Sequence, residues 1–84
     1  MAKAADFKQL LARPIKPTGG AVGMLLTLED VSKFISLMEP WRQARPYWDR
    51  CAAEILKAAK SGKHSDIVET TRSLEVALRK ENWL

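Results

Sequence analysis

The sequence predicts an all-α protein, a small bundle of about three helices over residues 28–39, 46–61 and 65–82. Apolar side chains recur at three- and four-residue spacing through these segments. No segment alternates apolar and polar residues convincingly over the length of a strand. The 84 residues, of which 46% are hydrophobic, are enough for one small domain. Because a domain of this size buries only about 60% of its unfolded surface, we expect no large enclosed active site.

A basic N-terminal arm is predicted to precede the bundle and to carry a short amphipathic helix. Phe7, Leu10 and Leu11 follow the i, i+3, i+4 spacing of one helix face, and Pro14 stops the pattern. Isolated helices shorter than about 12–15 residues are marginal in water. This segment must therefore pack either on its own domain or on a partner.

The chain is predicted to divide into an arm and linker over residues 1–24 and a helical domain over residues 25–84. Two prolines and three glycines between residues 14 and 23 favour an extended and flexible linker. The glycines lack both the G-x-G-x-x-G spacing and the Gly-Lys-Ser/Thr ending of phosphate loops, so we interpret them as a hinge. Residues 21–26 are the one run that fits a short strand.

The first predicted helix, over residues 28–39, has a clear start signal. Thr27 is a suitable N-cap, and Asp30 in the first turn can reach back to complete a capping box. Pro40 ends this helix, because the residue before a proline is pushed out of the helical region. The same proline can open a new turn that carries Trp41.

The second and third helices are predicted to be antiparallel neighbours joined by a short link. The second helix runs from Pro46 to a stop at Gly62, which is suited to a left-handed C-cap. The third helix is expected to begin after an N-cap at Ser65. The sequence therefore places two long helices side by side in the C-terminal half.

The basic charge is concentrated at the start of the chain. Of the net charge of +4, +3 lies in residues 1–20, where Lys3, Lys8, Arg13 and Lys16 outnumber Asp6. The remaining residues are nearly neutral, which disfavours the concentrated basic face of a duplex-binding domain. Nucleic-acid binding through these four basic residues stays open as the alternative function.

No arrangement of side chains predicts catalysis, a cofactor or a metal site. Cys51 lies on an apolar helix stripe, which suits a core residue, and His64 lies in a polar turn. One histidine and one cysteine cannot build a structural zinc site, and the carboxylates are scattered. We expect a non-enzyme with no cofactor, and an enzyme only if a second chain completed a site.

The setting is expected to be the cytoplasm, away from membranes. A lone cysteine makes no internal disulfide, and the first residues lack the apolar stretch of a secretory signal. No apolar run approaches the ~20 residues that a membrane span requires. Small basic helical proteins without catalytic residues are also common among phage and mobile-element products, for which the host cytoplasm or the virion is the corresponding location.

Residues 41–50 hold three of the six aromatic residues, interleaved with three arginines. Trp, Tyr and Arg dominate interface hot spots, because they bury large areas and still offer polar groups. The same residue types stack on unpaired bases, and the tryptophans could equally be core residues of a small bundle. The sequence leaves these three interpretations open.

We therefore predict a non-enzymatic protein-interaction module, acting as an assembly factor, minor structural component or inhibitor of a larger complex. Its partner is expected to be a protein complex, with nucleic acid as the alternative and self-association also open. The arm would act as in helix-in-groove recognition, with a second contact on the body. The predicted partner-binding residues are Phe7, Leu10, Leu11, Trp41, Arg42, Arg45 and Tyr47.

Overall fold

The computed structural model describes residues 5–21 and 23–84 and contains four helices and a two-stranded antiparallel sheet. The protein is mostly helical, but the prediction of a purely all-α fold is wrong because residues near the N-terminus form strands. The elements are β1 (Leu10–Ile15), β2 (Leu25–Thr27), α1 (Leu28–Ser36), α2 (Pro40–Gln43), α3 (Pro46–Ser61) and α4 (His64–Lys80).

The predicted amphipathic helix at the head of the arm is instead strand β1. It pairs with β2 in the register Leu10↔Thr27 and Ile15↔Leu25, with an irregularity between the two pairs. Leu11 and Ile15 are buried in the core. The helical spacing at Phe7, Leu10 and Leu11 was misleading, because pairing with a distant strand and burial against α4 override a weak local pattern.

The outer edge of β1 is covered by α4. The N–H of Ala12 donates to the Thr71 hydroxyl oxygen at 3.1 Å, and Arg13 forms an ion pair with Glu75. An uncovered strand edge would expose unpaired backbone groups to other chains. These contacts tie the N-terminal segment to the helices.

Helix α1 begins with the predicted capping box. The Thr27 hydroxyl accepts from the N–H of Asp30 at 3.1 Å, and the Asp30 carboxylate accepts from the N–H groups of Leu26 and Thr27. The Leu26 hydrogen bond, aided by the contacts with Thr27 and Lys33, lowers the pKa of Asp30 despite its partial burial. The helix ends at Ser36, three residues before the predicted end at residue 39.

Helix α3 has the predicted bounds of residues 46–61, and Gly62 closes it in the left-handed conformation with φ 65°. Helix α4 begins at His64, and its N-cap is Lys63 rather than the predicted Ser65. The Ser61 hydroxyl contributes to this turn, because it accepts from the Lys63 N–H at 3.1 Å and also contacts the buried Asp66 carboxylate. Helix α4 ends at Lys80, two residues before the predicted end.

The two long helices are antiparallel neighbours, as predicted. Three contacts follow this arrangement along the pair: Ser61 at the end of α3 with Asp66 in the first turn of α4, Glu54 with Thr70 nearer the middle of both helices, and Trp48 in the first turn of α3 with Glu81 just after α4. Thr70 and Thr71 are fully buried on α4, and their hydroxyls donate to backbone carbonyls. The core is thus apolar apart from a few polar groups that are hydrogen-bonded.

Candidate interaction surface

A buried carboxylate at the end of α4 organises one side of the molecule. The Glu81 side chain is 3% exposed, and one of its oxygens accepts from Arg42 at 2.8 Å and from Arg45 at 2.6 Å. The other oxygen accepts from the indole N–H of Trp48 at 2.9 Å. We call these four residues the Glu81 cluster. Charge-assisted hydrogen bonds to a carboxylate are stronger than neutral ones, so the cluster fixes both arginines.

The two prolines explain how the arginines reach one carboxylate. Pro40 opens the single turn of α2, and Pro46 opens α3. Arg42 and Arg45 are three residues apart on the segment between them, so they can point to the same side. The Tyr47 hydroxyl accepts from Arg45 at 2.9 Å, and this bond together with the Glu81 charge raises the pKa of the Arg45 guanidinium.

Trp41 is an exposed tryptophan of this surface, and two arginine side chains pack against its indole ring. The residue is 56% exposed. The guanidinium carbon of Arg42 lies 4.6 Å from the Trp41 ring centroid, and that of Arg45 lies 5.1 Å away. Cation–π contacts of this kind are worth about 0.5–1 kcal/mol at exposed sites. The indole is therefore exposed but restricted in its orientation.

Trp83 provides a second aromatic ring in contact with the Arg42 guanidinium. The guanidinium carbon lies 4.8 Å from the Trp83 ring centroid, and the Trp83 ring packs edge-on to Phe34 with centroids 6.0 Å apart. A Cβ at Gly19 would overlap the Trp83 indole, and a Cβ at Gly20 would lie 2.8 Å from the Phe34 ring. The glycines interpreted as a hinge thus permit close packing of the loop on these two rings.

Several exposed apolar side chains are connected by a chain of contacts that runs from Trp41 through Arg42 and Trp83 to Phe34. Met24 and Leu37 are 49% and 74% exposed and line a shallow hollow with Phe34. Phe34 contacts Trp83, which is followed by the half-exposed Leu84. We call Met24, Leu37, Trp41 and Leu84 the apolar end. Exposed apolar groups that adjoin one another are typical of interaction sites.

A second feature adjoins the Glu81 cluster through Tyr47. An open hollow of about 410 Å³ lies between the start of α3 and the face of α4. We call it the basic hollow and call three of its lining residues, Arg50, Arg72 and Lys80, its rim; Pro46, Tyr47 and Val76 also line it.

The charges around the basic hollow are only partly balanced. Glu69 also lines it, and its carboxylate lies 3.9 Å from Arg72. Within the described residues, neither Arg50 nor Lys80 has a carboxylate partner within 4.0 Å. The Lys80 ammonium instead lies 5.8 Å from the centroid of the Tyr47 ring. The hollow is therefore net basic.

The structure brings together four of the seven predicted partner-binding residues. These four residues contact one another in sequence, and they are exposed or partly buried: Trp41, Arg42, Arg45 and Tyr47. The three predicted arm residues do not share a face: Leu11 is buried, Phe7 packs half-buried against the core, and Leu10 is 68% exposed.

The four basic residues of the nucleic-acid alternative have different environments. Lys8 and Lys16 are exposed, whereas Arg13 is paired with Glu75. Lys3 lies outside the described residues. The predicted basic arm is thus partly neutralised by α4.

Sequence reasoning missed the residue at the centre of the cluster and those of the basic hollow. Glu81 is separated from its three partners by 33 to 39 residues, so no local spacing points to it. Arg72 and Lys80 do lie eight residues apart with Val76 midway, which is a helical face, but their exposure on it depends on how α4 packs.

The single cysteine of the sequence is buried. Cys51 is fully buried, and this burial, with the nearby Glu54 charge, raises the pKa of its thiol to about 12. His64 is exposed at the first residue of α4. Over residues 5–21 and 23–84, no three histidine, cysteine or acidic side chains come together to hold a metal ion.

No helix in the described part of the chain has the length and apolar character needed to cross a membrane. In comparisons with known proteins, no family model, curated sequence or solved structure matches the chain. The function is therefore argued from the site alone.

Proposed function

We propose that this protein is a non-enzymatic protein-interaction module, which acts as an assembly factor, minor structural component or inhibitor of a larger complex. The observation that carries the proposal is Trp41, more than half exposed yet held by the guanidinium groups of Arg42 and Arg45. Binding hot spots are enriched in Trp, Tyr and Arg. A side chain already fixed in one orientation loses less conformational entropy on binding.

The apolar end enlarges this contact. Leu37, Met24 and Leu84 expose apolar area and are connected to Trp41 through Phe34, Trp83 and Arg42. A partner that covers Trp41 would gain about 25 cal/mol for each Å² of apolar surface removed from water. The body therefore supplies the main contact in this proposal.

The arm has a smaller role than the sequence suggested. Docking through Leu11 would require β1 to leave β2 and α4, because Leu11 is part of the core. Leu10 remains available as a contact because it is 68% exposed. Location in the cytoplasm remains part of the proposal, consistent with the free and buried Cys51.

Nucleic-acid binding is the second candidate function. It is supported by the net charge of +4 and by the exposed Lys8 and Lys16. It would give a steep loss of affinity with rising salt, because phosphate contacts release counterions. Docking of the apolar end would respond little to salt.

The test is affinity capture of partners from the native lysate with the intact protein, with and without nuclease treatment. The bait variants are Trp41→Ala and, as a matched control on another surface, Leu56→Ala, whose side chain is also about half exposed. We expect one defined protein species that survives nuclease, is lost with Trp41→Ala and is kept with Leu56→Ala. Loss of all captured material on nuclease treatment would favour the second candidate.

A further inference from the structure

The basic hollow has two parallel rows of side chains. On α4, Arg72, Val76 and Lys80 follow one another at four-residue spacing and so share one helix face. On α3, Pro46 and Arg50 have the same spacing and line the other wall. Three cations therefore line the hollow together with the Val76 side chain, which is apolar and belongs to a residue that is 45% exposed.

The charge of the rim is only partly compensated. Within the described residues, Arg50 and Lys80 form no ion pair with an acidic side chain. Arg72 lies 3.9 Å from the Glu69 carboxylate, and the side chains of Arg72 and Glu69 are both well exposed. A ligand that brings carboxylates to this rim would gain favourable electrostatic interactions and a faster association. The chemistry that complements the hollow is thus acidic with an apolar side chain.

A peptide fits these features better than a nucleic acid. Single-strand binding uses free aromatic faces on which bases stack, but the Tyr47 ring is contacted by Lys80 and by Trp48, whose ring centroid lies 6.0 Å away. The Tyr47 hydroxyl is already used by Arg45. The volume of about 410 Å³ is at the lower end of the range of ligand clefts, so it suits a short segment.

We infer that the basic hollow binds an acidic peptide segment of the protein partner, with carboxylates on Arg50, Arg72 and Lys80 and one apolar side chain over Val76. This inference rests on the proposed function, because Tyr47 joins the hollow to Arg45 and so to the Trp41 contact. It names the chemistry of the partner: an acidic segment next to an apolar patch that covers Trp41.

The test is a binding titration followed by fluorescence anisotropy at about 150 mM salt, where distant surface charges are largely screened. The probe is the labelled peptide Glu-Asp-Glu-Phe-Glu-Asp-Glu, compared with its Gln/Asn counterpart and with an oligothymidylate of equal charge. The protein variants are Arg50→Gln with Lys80→Gln and, as a control of the same net charge, Lys60→Gln with Lys63→Gln. Circular dichroism checks that each variant is folded.

We expect the acidic peptide to bind and the Arg50/Lys80 variant to weaken it roughly five- to tenfold, since two rim charges are lost. The control should change affinity by less than about twofold, because Lys60 and Lys63 do not line the hollow. Equal weakening by both variants, equal binding of the amide peptide, or no peptide binding would overturn the inference. Binding of the oligothymidylate in preference to the peptide would overturn it in favour of nucleic acid.

The two proposals fail in different ways. If the Arg50/Lys80 variant captures the protein partner as well as the native chain does, the hollow is not part of the contact, while the proposed function stands. If Trp41→Ala leaves capture unchanged but the peptide still binds in the hollow, the Trp41 contact is wrong and the hollow is retained.

Discussion

Replacing Glu81 with alanine should destabilise the protein by about 2–3 kcal/mol. The reason is that its carboxylate accepts from Arg42, Arg45 and Trp48 while being 3% exposed.

The magnitude follows from what each partner loses. Trp48 is fully buried, so its indole N–H would be left without an acceptor, which costs about 1–3 kcal/mol. Breaking a fully buried ion pair costs about 3–5 kcal/mol. The Arg42 and Arg45 side chains are 18% and 38% exposed, so water can replace part of what they lose and the cost is smaller.

Urea unfolding followed by tryptophan fluorescence measures this free energy. The matched control is Glu69→Ala, which removes the same charge from the same helix but breaks only an exposed pair, and should cost less than about 0.5 kcal/mol. Glu81→Gln should fall between them, because it keeps one acceptor oxygen. If Glu81→Ala were no more destabilising than Glu69→Ala, the buried hydrogen bonds of the Glu81 cluster would not contribute to stability in the way proposed.

Three further predictions concern the first helix, the thiol and the glycine loop. Asp30→Ala should lower the free energy of unfolding by about 1 kcal/mol at pH 7, as measured by urea unfolding. Because the pKa of Asp30 is lowered in the folded protein, its stabilising contribution is present above about pH 4 and is lost as the pH falls through the folded pKa. A stability difference between variant and native protein that is as large at pH 2 as at pH 7 would contradict this prediction. Cys51 should react with a thiol reagent at pH 8 only as fast as the protein opens, because its side chain is fully buried and the burial also raises the pKa of its thiol; rapid labelling of the native protein would show that it is accessible. Gly19→Ala should cost about 1–3 kcal/mol through overlap with Trp83 and distinctly less in a Trp83→Leu background, whereas equal costs in both would refute a direct clash.

The sequence was sufficient where local signals define an element. Helix α3 has a proline at its first turn, a continuous apolar stripe and a glycine at its end, so its bounds of residues 46–61 were predicted correctly. The Thr27 capping box was also readable, because its two partners are three residues apart. Such features depend on neighbours along the chain.

The sequence was misleading where distant residues decide the structure. Residues 7–11 have an apolar spacing that suits a helix, yet the chain continues as β1 because β2 and Thr71 of α4 take up its backbone groups. Glu81 gave no signal because its partners lie on α2 and α3. Residues 41–50 also proved to be neither core alone nor surface alone, since Trp48 is fully buried and Trp41 is exposed.

The combination of stability and recognition in one cluster constrains how a partner can bind. Arg42 and Arg45 already satisfy the buried carboxylate, so a partner that drew them away would incur the cost calculated for losing Glu81. A partner that covers the exposed side of Trp41 leaves these hydrogen bonds intact and further shields them from water, which strengthens them. Binding should therefore stabilise the folded protein in two ways: through the new contact with Trp41 and through stronger hydrogen bonds within the Glu81 cluster. The variant that isolates recognition is Trp41→Ala, because replacing either arginine would alter folding and binding together.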